Sequence, residues 1–181
     1  MARYAGIRLR DISDGPGIRV GVYFQGCPFR CKGCWNASTW DENLGQEWTQ
    51  ELEDKVIEEC GDPTVAGLSL LGGEPLYEPN YQAVLKLIKR FKREYPDKTI
   101  WIWSGQVWED MEEDYIYALS YCDVLVDGPF ILAKRDIKLK YAGSTNQRVI
   151  NLKKTFKQGK VVLWGDWMLE PKTNRGEVYS V

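Results

Sequence analysis

At 181 residues, 44% of them hydrophobic, the chain suits one domain with enough apolar material for a core. No apolar run follows a basic start and no stretch of about 18 apolar residues occurs, so neither a signal peptide nor a membrane span is expected. The net charge of −2 gives no global reason to bind nucleic acid.

The charge is unevenly spread. Residues 134–160 hold nine basic side chains (Lys134, Arg135, Lys138, Lys140, Arg148, Lys153, Lys154, Lys157, Lys160) against one acid, Asp136, a local +8 that leaves −10 on the rest. Such a run is either a solvated surface or an electrostatic patch for an acidic protein partner.

In chain order, residues 1–17 read as an entry loop with turn chemistry in Asp14-Gly15-Pro16-Gly17. Ile18 to Gln25 is β-rich and reads as a first strand. It runs into Gly26-Cys27-Pro28-Phe29-Arg30-Cys31-Lys32-Gly33-Cys34-Trp35-Asn36, which places three of the five cysteines at C-x3-C-x2-C spacing in a chain without histidine. A disulfide would leave an odd thiol here. A structural zinc site wants four nitrogen or sulfur ligands, and only Cys60 and Cys122 remain to complete one. An iron–sulfur cluster is normally held by four thiolates, so three leave one iron open to a small molecule. Grouped, unpaired thiols suit a reducing cytoplasm.

From Thr49 a capped helix is expected, with Leu52, Val56, Ile57 and Cys60 on one face and a stop at Gly61-Asp62-Pro63. Cys60 then reads as a small core hydrophobe. Gly67 to Leu71 is a short apolar strand ending in Gly72-Gly73-Glu74-Pro75, a motif that alone is an ordinary strand–helix turn. A helix over about 80–95 follows, with Tyr81, Val84, Leu85, Ile88, Phe91 and Tyr95 at helical spacing and Lys86, Lys89, Arg90 and Lys92 opposite. Thr99 to Trp103 is a strand ending in Ser104-Gly105, Glu109 to Tyr121 an acidic helix, and Val124 to Val126 a strand ending in Asp127-Gly128. Cys122 reads as buried at the entry to that last strand. After Phe130 the pattern weakens to a polar loop, Gly143 to Gln147, before Val149-Ile150, a final strand over Val161 to Trp164, and a loose tail from Pro171.

Strands alternating with helices predict an α/β fold of mostly parallel β/α units, in which chemistry sits at the C-terminal ends of the strands. The cysteine loop, Gly72-Gly73-Glu74-Pro75, Ser104-Gly105 and Asp127-Gly128 would then share one rim and form an active site.

These segments, from about Asp11 to Leu152, resemble the radical S-adenosylmethionine (SAM) enzymes and, within them, the glycyl-radical activating enzymes. The resemblance is carried by Asp14-Gly15-Pro16-Gly17-Ile18-Arg19, Gly26-Cys27 through Asn36, Ser38-Thr39-Trp40, Leu70 through Leu76, Trp101 through Gly105, Val124 through Gly128 and Gly143 through Gln147. It implies an incomplete (β/α) barrel in a single domain over 1–181, with the motif-bearing core at about 11–152 and a C-terminal extension at 153–181 of additional strand or partner contact. It implies a 4Fe–4S cluster on Cys27, Cys31 and Cys34, with SAM on the fourth iron. Gly72, Gly73 and Glu74 would lie beside the methionine amino group, Gly33, Cys34 and Trp35 would wall the adenine side, and Ser104 and Asp127 would lie near the methionine or ribose. No general acid or base is implied beyond cluster and SAM. The implied target is a glycine on the large subunit of anaerobic ribonucleoside-triphosphate reductase, and the implied reductant a flavodoxin-like protein. Gly33 stands where many members of the superfamily carry an aromatic before the third cysteine; here the aromatic is Trp35, as in the reductase-directed branch. An activator of another glycyl-radical enzyme such as pyruvate formate-lyase, a small radical SAM enzyme of modified-purine synthesis, and an electron-transfer protein are the rival readings.

Overall fold

Thr49 starts the first helix by its chemistry. Its backbone is extended and its hydroxyl accepts the Leu52 N–H at 3.2 Å, a cap of the kind that contributes about 1 kcal/mol. Helix α1 (Gln50–Cys60) buries Val56, Ile57 and Cys60, and also Glu53, which pairs with Arg90 at 3.2 Å across the interface with α2 (Glu78–Glu94). Helix α2 carries Pro79 in its first turn, where no N–H is missed, and buries Val84, Leu87, Ile88 and Phe91. These two helices cover one face of a sheet built from β1 (Arg3–Asp11), β2 (Ile18–Phe24), β3 (Gln46–Glu47), β4 (Val65–Gly72), β5 (Thr99–Trp103), β6 (Val124–Asp127) and β7 (Arg148–Asn151). The computed structural model describes residues 1–165.

The sheet order is β3-β1-β2-β4-β5-β6-β7. Its centre, β2-β4-β5-β6, is parallel, and both flanks are antiparallel. The expected mostly parallel sheet is therefore mixed, because β1, inside the stretch read as an entry loop, and β7, which contains Val149 and Ile150, pair antiparallel onto the parallel core. Val20, Val22, Phe24, Leu68, Leu70, Ile100, Ile102 and Leu125 point to the helices. Trp101, Val124 and Val126 point the other way and pack with Trp103, Tyr141 and Val149. Burial on both faces explains why these strands read as continuous apolar runs.

The second face also holds a fully buried cation. Arg19 of β2 donates to Ser69 Oγ (2.7 Å), Leu68 O (2.8 Å), Thr99 Oγ1 (2.9 Å) and Thr99 O (3.0 Å), and lies 5.7 Å from the Trp101 ring centroid. Ser69 Oγ in turn donates to Asp14 O at 2.6 Å, tying the Asp14–Gly17 turn to β4. Burial pushes the guanidinium down to about 10, so it stays charged at neutral pH.

Four elements depart from the sequence pattern. Strand β1 lies inside the expected entry loop; only Ile7 packs on the helix-side core, while Arg10 pairs outward with Glu59 and Asp62, so no apolar alternation marks it. The acidic helix is shorter: a 3-10 turn (Trp108–Asp110) precedes α3 (Glu113–Leu119), with Met111 and Glu112 extended between them. A continuous helix would have stacked Glu109, Asp110, Glu112, Glu113 and Asp114 as like charges one turn apart; instead Glu113 and Asp114 fall in the first turn of α3, where the helix dipole favours acids. Helix α4 (Leu152–Gln158) was not marked by periodicity, yet Asn151 caps it through the Lys154 N–H at 3.0 Å and Gly159 ends it at φ +64°. Over 161–164 there is no strand, only a single antiparallel bridge from Leu163 to Ile150. The tail from Pro171 lies outside the described residues. Among the described residues, no helix is long and apolar enough to cross a membrane.

Replacing Arg19 by Met would strand the Leu68 and Thr99 carbonyls in the interior. Urea unfolding is expected to show a loss of about 3 kcal/mol; a change within about 0.5 kcal/mol, the range of neutral surface substitutions, would contradict the role assigned to this cation.

Candidate metal centre

The cysteine loop is closed at its base by two backbone bonds, Gly26 N–H to Thr39 O at 2.8 Å and Cys27 N–H to Trp40 O at 3.1 Å. Between them the chain reverses at Arg30 (φ +44°) and Gly33 (φ +76°), and Cys34 N–H closes a turn on Cys31 O at 3.0 Å. These reversals turn Cys27, Cys31 and Cys34, all free and half-buried, into one cavity of about 240 Å³. Among the described residues, no three His, Cys, Asp or Glu side chains converge on a single metal ion. A spread set of three thiols fits a polynuclear cluster, in which each thiolate meets its own iron, better than a zinc ion that gathers its ligands at about 2.3 Å.

Backbone donors surround the sulfurs. Cys27 receives the N–H groups of Phe29 and Arg30, Cys31 that of Phe130, and Cys34 Sγ that of Asn36 at 3.4 Å. Burial pushes the Cys27 and Cys31 thiols up, and the N–H groups pull the other way. Donors aimed at cluster sulfurs are a lever on reduction potential. Cys60 and Cys122 lie in the core, where burial raises both thiols, Cys60 to about 12, and keeps them inert.

The turn after β4 reaches the same cavity. Gly73 N–H bonds Phe24 O and Glu74 N–H bonds Gly26 O, both at 2.8 Å, so this turn is stitched to the root of the cysteine loop. An added Cβ on Gly73 would collide with the Gly26 carbonyl, and Gly72 sits at φ +103°, so both positions require glycine. Glu74 is wholly buried. Its Oε1 accepts the Leu76 N–H at 3.0 Å; its Oε2 accepts the Gly105 N–H at 2.7 Å and the Ser104 hydroxyl at 3.2 Å. Burial pushes its pKa up to about 7.

Ser104 lines the cavity, as do Trp35, Gly72, Gly73, Glu74 and Gly128. Gly33 does not; it packs outward under Leu132, whose Cδ1 would lie 2.9 Å from an added Cβ. Asp127 is also absent from the wall. Its carboxylate binds the Arg148 guanidinium at 2.5 Å and the Trp108 N–H at 3.0 Å, and Arg148 also reaches Glu109 at 2.6 Å. Asp127 thus anchors the strand end while Gly128 faces the cavity. Asp14, Phe29, Trp40, Phe130 and Gln147 complete much of the wall and were not singled out from sequence as site residues, and Trp103 joins them from the end of β5. Asp14 and Gln147 stand in motifs that were noted. Phe29 and Phe130 carried no signal beyond position; an added Cβ on Gly105 would strike the Phe29 ring, which places that ring against the turn after β5.

Glu74→Ala removes the one acceptor shared by two buried backbone N–H groups and a hydroxyl. Chemical unfolding of the cluster-free protein is expected to show a loss of about 2–4 kcal/mol, with Glu74→Gln losing less because its carbonyl oxygen keeps part of the set. Equal stability of the alanine variant and the parent would overturn this account.

Comparison with known proteins agrees with this geometry. The family described as "4Fe-4S single cluster domain" matches residues 13–150. The anaerobic ribonucleoside-triphosphate reductase-activating protein of Vibrio cholerae is 45% identical over 139 residues, covering 76% of this chain and 90% of that protein. The protein of that name from Escherichia coli K12 is 39% identical over 145 residues (79% and 94%), and the one from enterobacteria phage T4 is 36% identical over 139 residues (77% and 87%). With three thiols on one loop inside the matched region and relatives aligned over most of both chains, this chain belongs to the family of anaerobic ribonucleoside-triphosphate reductase-activating proteins.

Proposed function

We propose that the chain activates anaerobic ribonucleoside-triphosphate reductase by generating a glycyl radical on its large subunit, with a 4Fe–4S cluster on Cys27, Cys31 and Cys34 and SAM bound beside it. When bound, cluster and SAM supply reductive cleavage of the sulfonium and removal of a hydrogen atom from a glycine Cα. The chain's own residues hold, orient and exclude water. Cys27, Cys31 and Cys34 would hold the cluster by three thiolates and so would leave a site for SAM beside it. Gly72 and Gly73 let the backbone approach that amino group. The Glu74 carboxylate holds the turns after β4 and β5 in position, and Ser104 is kept in the wall by its bond to Glu74. Phe29, Trp35, Trp103 and Phe130 supply apolar walls that keep a reactive species from water.

The observation that supports this reading is the convergence of three free thiols with the turns after β4, β5 and β6 on one cavity. The parallel run β2-β4-β5-β6, with α1, α2 and α3 in its crossovers, supports an incomplete (β/α) barrel of the radical SAM type in a single domain. Five free cysteines support a reducing, cytoplasmic setting, and reductive cleavage of SAM would need an external one-electron donor such as a flavodoxin-like protein.

Reconstituted without oxygen, the protein is expected to bind iron and sulfide in equal amounts, four of each per chain on the general stoichiometry of such clusters. With SAM and a strong reductant it should form 5′-deoxyadenosine, and with the reductase added it should give a glycyl doublet by EPR. Cys31→Ala is expected to lose cluster, product and doublet together. One zinc per chain without iron, no 5′-deoxyadenosine from an intact cluster, or a doublet only with pyruvate formate-lyase would each overturn the proposal.

A further inference from the structure

The basic segment 134–160 divides once its partners are known. Arg148 is committed to Asp127 and Glu109, and Lys153 reaches the buried Asp123 at 2.7 Å. Lys134, Arg135, Lys138 and Lys140 are exposed and, among the described residues, make no ion pair. They lie on, or just after, the stretch that meets the cysteine loop. Phe130 N–H faces the Cys31 thiol, Leu132 presses on Gly33, and the Arg135 guanidinium lies 4.5 Å above the Trp35 ring. Lys32, on the loop itself, is exposed as well. The one acid in this stretch, Asp136, accepts the Lys138 N–H at 2.9 Å through Oδ1. Exposed apolar side chains sit among the cations: Trp35 is 65% exposed, Leu132 42% and Ile137 78%.

From this juxtaposition we propose that the surface formed by Lys32, Lys134, Arg135 and Lys138 around Trp35 and Leu132 is the docking face for an acidic one-electron carrier protein. The inference rests on the activating reading above and names the partner that serves its cluster. Two features select a carrier over the reductase. The glycine to be oxidised must enter the cavity and touch the reacting atoms, whereas an electron crosses the thin cover of residues 130–135 without contact. Exposed cations beside exposed apolar side chains also suit the limited, transient interfaces of electron-transfer pairs. The step is one electron: the carrier is oxidised by one, the cluster reduced by one, and no bond or proton moves. The excess negative charge on the remainder of the chain orients the approach of an acidic carrier toward this face.

The test compares the parent with Lys134→Glu/Lys138→Glu and, as a control of equal charge change elsewhere, Lys154→Glu/Lys157→Glu on α4. Cluster bleaching is followed by anaerobic stopped flow with a reduced acidic flavodoxin and, separately, with dithionite. At low salt the first variant is expected to be reduced by flavodoxin about tenfold more slowly, with the gap closing as salt rises. Its reduction by dithionite and its 5′-deoxyadenosine yield with dithionite should equal the parent's, which also establishes that it folds and loads its cluster. The α4 variant should lose less than twofold. Unchanged reduction by flavodoxin, an equal loss in the α4 variant, or loss of reductase binding with flavodoxin reduction intact would overturn the docking face. Failure of the parent itself to form 5′-deoxyadenosine with dithionite would instead overturn the activating reading beneath it.

Discussion

A single buried carboxylate holds the rim together. Glu74 is 1% exposed, and burial works against its charge. Three donors meet it: two backbone N–H groups from different turns, and one hydroxyl. Those donors would also be costly to bury alone, so each side supplies what the other lacks. The consequence is geometric. The turn after β4 is locked to the turn after β5, and through the Glu74 N–H bond to Gly26 O the same residue is locked to the root of the cysteine loop. Where the three thiols stand relative to the glycine turn follows from this joint.

The stitching continues around the rim by backbone bonds. Ser104 N–H reaches Val126 O at 2.9 Å and Gly128 N–H reaches Gln106 O at 2.8 Å, which joins the ends of β5 and β6. Gln147 Nε2 then donates to Gly128 O at 3.0 Å, which draws the polar loop at 143–147 against the cavity. Deeper in the sheet, Arg19 holds the Asp14–Gly17 turn through Ser69, and the Tyr23 hydroxyl donates to Asp14 at 2.5 Å. Asp14 reaches the cavity wall from that side. A site meant to contain a reactive species gains from a preorganised wall, and the turns after β4, β5 and β6 are each tied to a neighbour by backbone or side-chain hydrogen bonds.

Charge is partitioned by the same fold. The cations nearest β6 and β7 pair with the buried carboxylates of Asp123 and Asp127 and with the exposed Glu109. Those on the stretch beside the cysteine loop are left outward, without an ion pair among the described residues. The run of basic residues in the sequence therefore serves two purposes, one internal and one at the surface.

Much of this was legible in the chain alone. The cap at Thr49, the strand from Thr99 to Trp103 and the three grouped thiols are local signals, written in neighbouring residues, and local signals survive folding. So does the rule that parallel strands gather their C-terminal turns, which brought Gly72, Gly73, Glu74 and Ser104 to the cysteines. What depended on tertiary structure was everything decided by a distant partner. Strand β1 exists because β2 pairs with it, and its own pattern is too charged to announce it. Gly33 faces outward because Leu132 covers it, and Asp127 turns from the cavity because Arg148, 21 residues away, binds it first. Glu74 is also a structural joint, which its motif did not announce, since only the folded chain brings Gly105 and Leu76 to its two oxygens. Residue types and spacing determined the chemistry this chain can hold; long-range pairing decided which of those residues face it.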